Sequence, residues 1–284
     1  MIAAPSSFAP TEIKRISKAL PTSACTMVVE TDCGTAYLKA LGNEEGPWTL
    51  ACELIGTRLA QWLGLSTFEF AQIEVKPYHN IRFHNGKSAI PGPAFITRSE
   101  RGEQWDGTIA PLRRLSNLED IGRLVLFDTW TLNCDRFFRK NDDIGTKPRC
   151  NLGNVFLQED PQNGALEMKA MDHTHCFSCG KEVSPKIADL PTIRDPRIFG
   201  LFPEFKRLLT RNELKLPIAD LRKIDMATLN RAFQDIPKEW EVNADTQTAM
   251  KTFLISRATY VCDTISNTIW PQQTLISEEF ADEN

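Results

Sequence analysis

Cys25-Thr-Met-Val-Val-Glu is β-branched and half-alternating, Asp32-Cys-Gly is a turn signal, and Thr35-Ala-Tyr-Leu-Lys-Ala resumes the alternation. That is the pattern of a β-hairpin. After the turn-rich stretch Gly42-Asn-Glu-Glu-Gly-Pro the period changes. Leu50, Leu54 and Trp62 recur with Ala51, Ile55, Leu59 and Leu63 at i, i+4, which predicts a helix over residues 48–63 capped by Gly64. Glu53 falls outside this apolar stripe, and on spacing alone it reads as a solvated helix-face carboxylate. Residues 68–75 and 92–97 are further strand candidates, and the polar segment 98–104 reads as a connector.

From there the pattern turns helical. Residues 117–132 carry apolar side chains at helical spacing, a short β-like section surrounds residues 154–157 and 166–171, and the chain from about Pro185 reads as a helical bundle. Its last helix, near residues 246–268, presents Met250, Phe253, Leu254, Ala258, Val261 and Ile265. The acidic tail 277–284 reads as disordered. Strands first and helices afterwards argue for an α+β fold rather than a doubly wound sheet.

Composition narrows the class. The 284 residues suit one large domain or two smaller units, and 42% apolar with 25% charged residues argues against disorder, a collagen repeat or a small disulfide scaffold. A net charge of −4 argues against non-specific binding to nucleic acid, which needs excess Lys and Arg. No apolar run approaches the roughly 20 residues that span a bilayer. The first ten residues lack a basic and then apolar signal pattern, so a soluble cytoplasmic protein is expected. In that compartment the eight scattered cysteines read as reduced core thiols rather than a disulfide framework.

Three polar sites carry the candidate chemistry: Asn133-Cys-Asp135-Arg136 after an apolar helix, Asn151-Leu-Gly-Asn154 before a strand, and Met171-Asp172-His173 after the next strand. Together they would bring oxygen ligands and a base to one cleft mouth, a donor set suited to a hard cation such as Mg²⁺ that also binds phosphate. Each alone has a local explanation, because Asp and Asn favour caps and turns.

With those sites in this order, the chain resembles the HipA-like kinases, within the wider protein-kinase and phosphatidylinositol-kinase fold. Tyr37-Leu-Lys39-Ala resembles the strand carrying the ATP-binding lysine. The segment from Ala51-Cys-Glu53 to Leu63-Gly-Leu resembles the helix with the paired glutamate. Phe127-Asp-Thr-Trp-Thr-Leu-Asn133-Cys-Asp135-Arg136 resembles the approach to the catalytic Asn-x-Asp-Arg. Met171-Asp172-His173 resembles the metal-binding Asp motif, and Ile236-Pro-Lys-Glu-Trp240 with its following helix resembles the family's C-terminal end.

The resemblance implies a bilobal fold: an N-lobe over residues 1–97, a hinge at 98–101, and a C-lobe over 102–284. It implies an ATP- and Mg²⁺-dependent kinase acting on a hydroxyl, with Ser/Thr of a protein, or of the kinase itself, as the leading acceptor. A pseudokinase or nucleotide-binding interaction module is the alternative. Lys39 would neutralise phosphate oxygens and pair with Glu53, reversing the spacing-based reading of that residue. Asp135 would be the catalytic base and Asp172 a metal ligand. Backbone amides near Thr22-Ser23-Ala24 or the Asp32-Cys-Gly turn would cradle phosphate. Thr97 and Glu100 would lie along the adenine.

The family's metal-binding Asn usually follows the catalytic Asp by about five positions, but residue 140 is Lys. Asn154 is the favoured ligand and Asn141 the alternative; with Asn154, the charged segment 137–150 becomes an insertion in the catalytic loop. An antitoxin-type partner also comes with the resemblance, although the N-terminus is too short for the extra subdomain of full-length HipA toxins. No long basic run points to a membrane or lipid substrate. Structural zinc on His173, His175, Cys176 and Cys179 is a competing reading of that cluster, and it lacks a second ligand pair at the usual spacing.

Overall fold

The computed structural model describes residues 7–139, 148–160 and 162–271. The expected hairpin is present as β2 (Met27–Thr31) and β3 (Gly34–Lys39), turned at Asp32-Cys33. An unforeseen strand, β1 (Ile13–Ala19), pairs with β2. Of its seven residues only Ile13 is buried, while Lys14, Arg15 and Lys18 face solvent. A charged edge of this kind blocks further strand pairing and leaves no alternation to read in the sequence.

The chain then enters helix α1 (Trp48–Trp62) and returns through β4 (Phe70–Val75) and β5 (Gly92–Arg98). The five strands form one antiparallel sheet in the order β1-β2-β3-β5-β4. Its own core is built on Met27, Val29, Leu38, Ile73, Ala94 and Ile96. Helix α1 belongs elsewhere: Leu50, Leu54, Ile55 and Leu59 join the larger core of the C-terminal part.

Residues 99–102 lead into β6 (Glu103–Gln104), a two-residue strand inside the segment read as a connector. Short helix α2 (Ile109–Leu112) precedes α3 (Asp120–Thr131). Strands β7 (Phe137–Phe138) and β8 (Arg149–Cys150) pair antiparallel, so the ends of the expected catalytic-loop insertion are joined; Asn141 and the rest of 140–147 lie outside the described residues. Strands β9 (Val155–Glu159) and β10 (Leu166–Ala170) complete a second sheet in the order β10-β9-β6.

The remainder is helical: α4 (Leu190–Ile193), α5 (Pro203–Leu208), α6 (Lys215–Leu221), α7 (Met226–Ala232) and the 26-residue α8 (Ala244–Ile269). The Asn243 side chain caps α8 by accepting from Thr246 N at 2.9 Å. Helix α8 packs on α3, where the Trp130 indole donates to the Leu254 carbonyl at 2.9 Å. Buried Arg257 donates to carbonyls of Thr129, Thr192, Ile193 and Asp195, so its charge is spread over backbone dipoles. The architecture is α+β, strand-rich first and helical afterwards, and no helix among the described residues is long and apolar enough to cross a membrane. The acidic tail lies outside the described residues.

Candidate active site

Lys39 is the last residue of β3, paired in register with Phe95 of β5, and Glu53 lies in the second turn of α1. The Lys39 ammonium donates to Glu53 Oε2 at 2.7 Å and to Asp172 Oδ1 at 2.9 Å. Burial works against the ammonium, but the Asp172 and Glu53 carboxylates outweigh it and raise the Lys39 pKa. The spacing-based reading of Glu53 is thereby corrected: the residue is 3% exposed, because α1 is covered on most faces and not along one stripe. Its Oε2 also accepts from the backbone N of His173 at 3.1 Å.

Asp172 follows β10 with a left-handed backbone, φ 58°, a conformation that Asp tolerates better than most residues. The Thr174 hydroxyl donates to its Oδ1 at 2.7 Å. Burial opposes its charge, yet Lys39 and Thr174 together hold the carboxyl below the usual carboxylate range.

Asp135 is presented by the loop that leaves α3. Leu132 ends the helix in the left-handed region, and Asn133 and Arg136 then fold back onto Asp128. Asn133 Nδ2 donates to Asp128 Oδ1 at 3.0 Å and Arg136 Nε to Asp128 Oδ2 at 2.8 Å, with Asp128 and Arg136 both fully buried. Arg136 also donates to the carbonyls of Asn154 and Met171, so one guanidinium ties the Asp135 loop to the segments bearing Asn154 and Asp172. Burial pushes the Asp128 carboxyl up to about 6 against the pull of Arg136. Asp128 escaped the sequence reading, although a lone carboxylate inside an apolar helix is a usable signal: a buried charge requires a partner.

The Asp135 carboxylate is heavily engaged. Its Oδ2 accepts from Asn154 Nδ2 at 2.9 Å and Asn151 Nδ2 at 3.1 Å, and its Oδ1 faces Arg149 Nη2 at 2.8 Å. His175 reaches across to the β3–α1 loop, with Nε2 3.2 Å from Glu45 Oε1 and Nδ1 3.7 Å from Asp135 Oδ2.

A cleft of about 670 Å³ runs between the two sheets and gathers Ser23, Lys39, Glu53, Thr97, Glu100, Asp135, Asn154 and Asp172. Phe68, Phe95, Phe156 and Met171 line it as apolar walls. Glu100 is ion-paired to Lys169 of β10. Of the two turns suggested as phosphate cradles, Thr22-Ser23 lines the cleft; Asp32 instead accepts from Thr11 N at 3.0 Å, and its turn is not part of the lining.

The four side chains of the zinc reading are not gathered. His173 meets the Thr57 hydroxyl at 3.1 Å, His175 turns to Glu45, Cys176 is buried, and Cys179 is joined to Cys134 as a disulfide. The expectation of unpaired thiols therefore fails for Cys134 and Cys179, which the Asp135 loop and the segment after Asp172 bring together; the other six cysteines are free.

A β3 lysine paired to a helix glutamate, facing a loop Asp and an Asp after a later strand, is the layout of a kinase cleft. Compared with solved structures, the fold is similar to that of the Helicobacter pylori proinflammatory kinase CtkA, with a TM-score of 0.57 at 10% identity over 91% of this chain and 96% of that one. The HipA-like kinase family model matches residues 30–272, and the chain belongs to that family. No curated protein matches the sequence.

Proposed function

We propose that this HipA-like kinase transfers the γ-phosphoryl group of ATP, with Mg²⁺, to a hydroxyl, and that the acceptor is Ser or Thr of a protein. The observation that carries this reading is Lys39 held between Glu53 and Asp172 within the cleft that also contains Asp135 and Asn154. Phosphoryl transfer requires positioning and charge stabilisation more than covalent chemistry. Lys39 neutralises phosphate oxygens, and Glu53 keeps it aimed. Asp135 orients the acceptor hydroxyl and takes up its proton.

The donor set fits a hard divalent cation. Asp172 offers carboxylate oxygens, and Asn154, whose Nδ2 is committed to Asp135, has its amide oxygen left to offer. Bound there, Mg²⁺ would neutralise charge on the phosphates. Thr97, Glu100 and the Thr22-Ser23 turn line the same cleft, which supports an adenine along the first two and phosphates along the turn. The protein acceptor, with self-phosphorylation as one form of it, rests on family analogy.

The test is transfer from labelled ATP with Mg²⁺, with and without cell extract, beside Asp135→Ala and Asp172→Asn. Labelling that requires both aspartates supports the kinase. ATP binding without transfer, indifferent to Asp135→Ala, would establish a nucleotide-binding interaction module instead.

A further inference from the structure

Asp135 Oδ2 already accepts from Asn154 and Asn151, which leaves Oδ1 to an acceptor hydroxyl, and Oδ1 is met by Arg149 at 2.8 Å. Among the described residues, Arg149 and the more distant His175 are the cationic side chains within ion-pair reach of this carboxylate. Arg149 is not on a free arm. Strand β8 is paired with β7, Arg149 opposite Phe138, and the next residue but one, Asn151, donates its backbone N–H to the Arg136 carbonyl at 2.9 Å. The backbone thus delivers the guanidinium to Asp135 as a built feature.

The side chain is also poorly saturated. Among the described residues its contact besides Asp135 is the Cys134 sulfur at 3.6 Å, a weak acceptor, and it is 49% exposed. A guanidinium carries five donors in a planar fork suited to carboxylate. An acceptor hydroxyl arriving at Asp135 must share Oδ1 with Arg149, and the displaced donors then face the groups flanking that hydroxyl. An acidic flank supplies the lost partner, whereas a basic flank meets an uncompensated like charge.

We infer that Arg149 is a specificity-determining residue that selects Ser/Thr acceptors flanked by Asp or Glu in a protein. The inference rests on the kinase reading and deepens it. The pair with Asp135 holds the base covered until an anionic acceptor draws the guanidinium away.

The experiment compares initial rates of ATP-dependent labelling of three Ser/Thr peptides with acidic, neutral or basic flanks, and of phosphoinositide vesicles. It uses the full chain and its Arg149→Glu and Arg149→Lys forms, with melting temperature and ATP binding measured to verify folding. The acidic peptide is expected to exceed the basic one by about tenfold, one charge-assisted hydrogen bond's worth of discrimination. Arg149→Lys should keep the order and Arg149→Glu should invert it. Equal rates for the three peptides, an order unchanged in a folded Arg149→Glu protein, or transfer confined to the vesicles would overturn the inference while leaving the kinase reading intact. Absence of transfer to any acceptor, together with failure of the Asp135-dependent labelling of extract, would overturn both.

Discussion

The Arg58 guanidinium of α1 donates to the Ala232 carbonyl at the end of α7, at 3.1 Å, and its reach extends to the Gln234 carbonyl at 2.6 Å. The helix bearing Glu53 is thus fastened to the C-terminal part at α7, by a side chain that does not line the cleft. Nearby, Gln72 donates to the Asp235 carbonyl at 3.1 Å and the Trp240 indole to the Pro93 carbonyl at 3.0 Å. Arg58→Ala should cost about 1–3 kcal/mol, the worth of hydrogen bonds to a charged group. Chemical denaturation measures that loss, and a nucleotide titration should show weaker ATP binding because Glu53 loses its fixed place.

Lys39 compensates two carboxylates at once. Replacing it by Met leaves Glu53 buried beside Asp172 without a cation, and removing one partner of a buried pair is costly. Lys39→Met should lower stability by about 2–4 kcal/mol, discounted for the partial exposure of Asp172. The double variant Lys39→Met/Glu53→Gln should recover part of it. Thermal unfolding of both proteins gives the comparison, and a double variant less stable than the single one would contradict this account.

Gly56 of α1 faces the residue after Asp172. A Cβ placed there would lie 2.6 Å from His173 Cβ, closer than carbon atoms approach. Gly56→Ala should force α1 and the Asp172 segment apart, costing about 1–3 kcal/mol as overpacking does. The same shift separates Lys39 from its partners, so ATP affinity should fall together with the melting temperature.

His175 carries a pH signature. Burial works against its imidazolium, but the Glu45 carboxylate, with Asp135 and Asp172 behind it, outweighs burial and raises the pKa above the ordinary 6.5. Its contribution to stability is therefore fully present below pH 6.5 and is lost as the pH climbs through the raised value. The stability difference between the protein and His175→Gln should be largest in mildly acidic buffer and should shrink on the alkaline side. A constant difference from pH 5.5 to about 9 would show that the pair with Glu45 contributes no proton-linked stability.

Local pattern was enough for the β2–β3 hairpin, α1, β5, α3, β9, β10 and α8, because each has a turn signal or a periodic apolar face. It failed at β1, where a solvated edge needs no alternation, and at the two-residue strands β6, β7 and β8, which exist only through their partners. Spacing alone gives the wrong environment for Glu53 for a related reason, while the resemblance gives its pairing with Lys39 correctly. Helical periodicity reports one buried face, whereas α1 is also covered by a segment 120 residues further along the chain, where the His173 backbone N–H donates to Glu53. The motif residues Lys39, Asp135, Asn154 and Asp172 could be picked out because their order along the chain is itself informative. The partners of Arg149 and His175 are not legible in the sequence, since those contacts arise where a loop returns to Asp135 and where Glu45 meets His175 from 130 residues away.

Helix α1 lies in the chain among the strands of the first sheet, but its apolar side chains pack into the other part of the molecule. Chain order and cooperative unit therefore differ. A fragment ending at Thr97 would expose Leu50, Leu54, Ile55 and Leu59 to water and would be expected to self-associate rather than stand alone. The same holds for chimaeras between relatives: an exchanged N-terminal part would have to travel with residues 232–240, the distant stretch hydrogen-bonded to both α1 and the sheet.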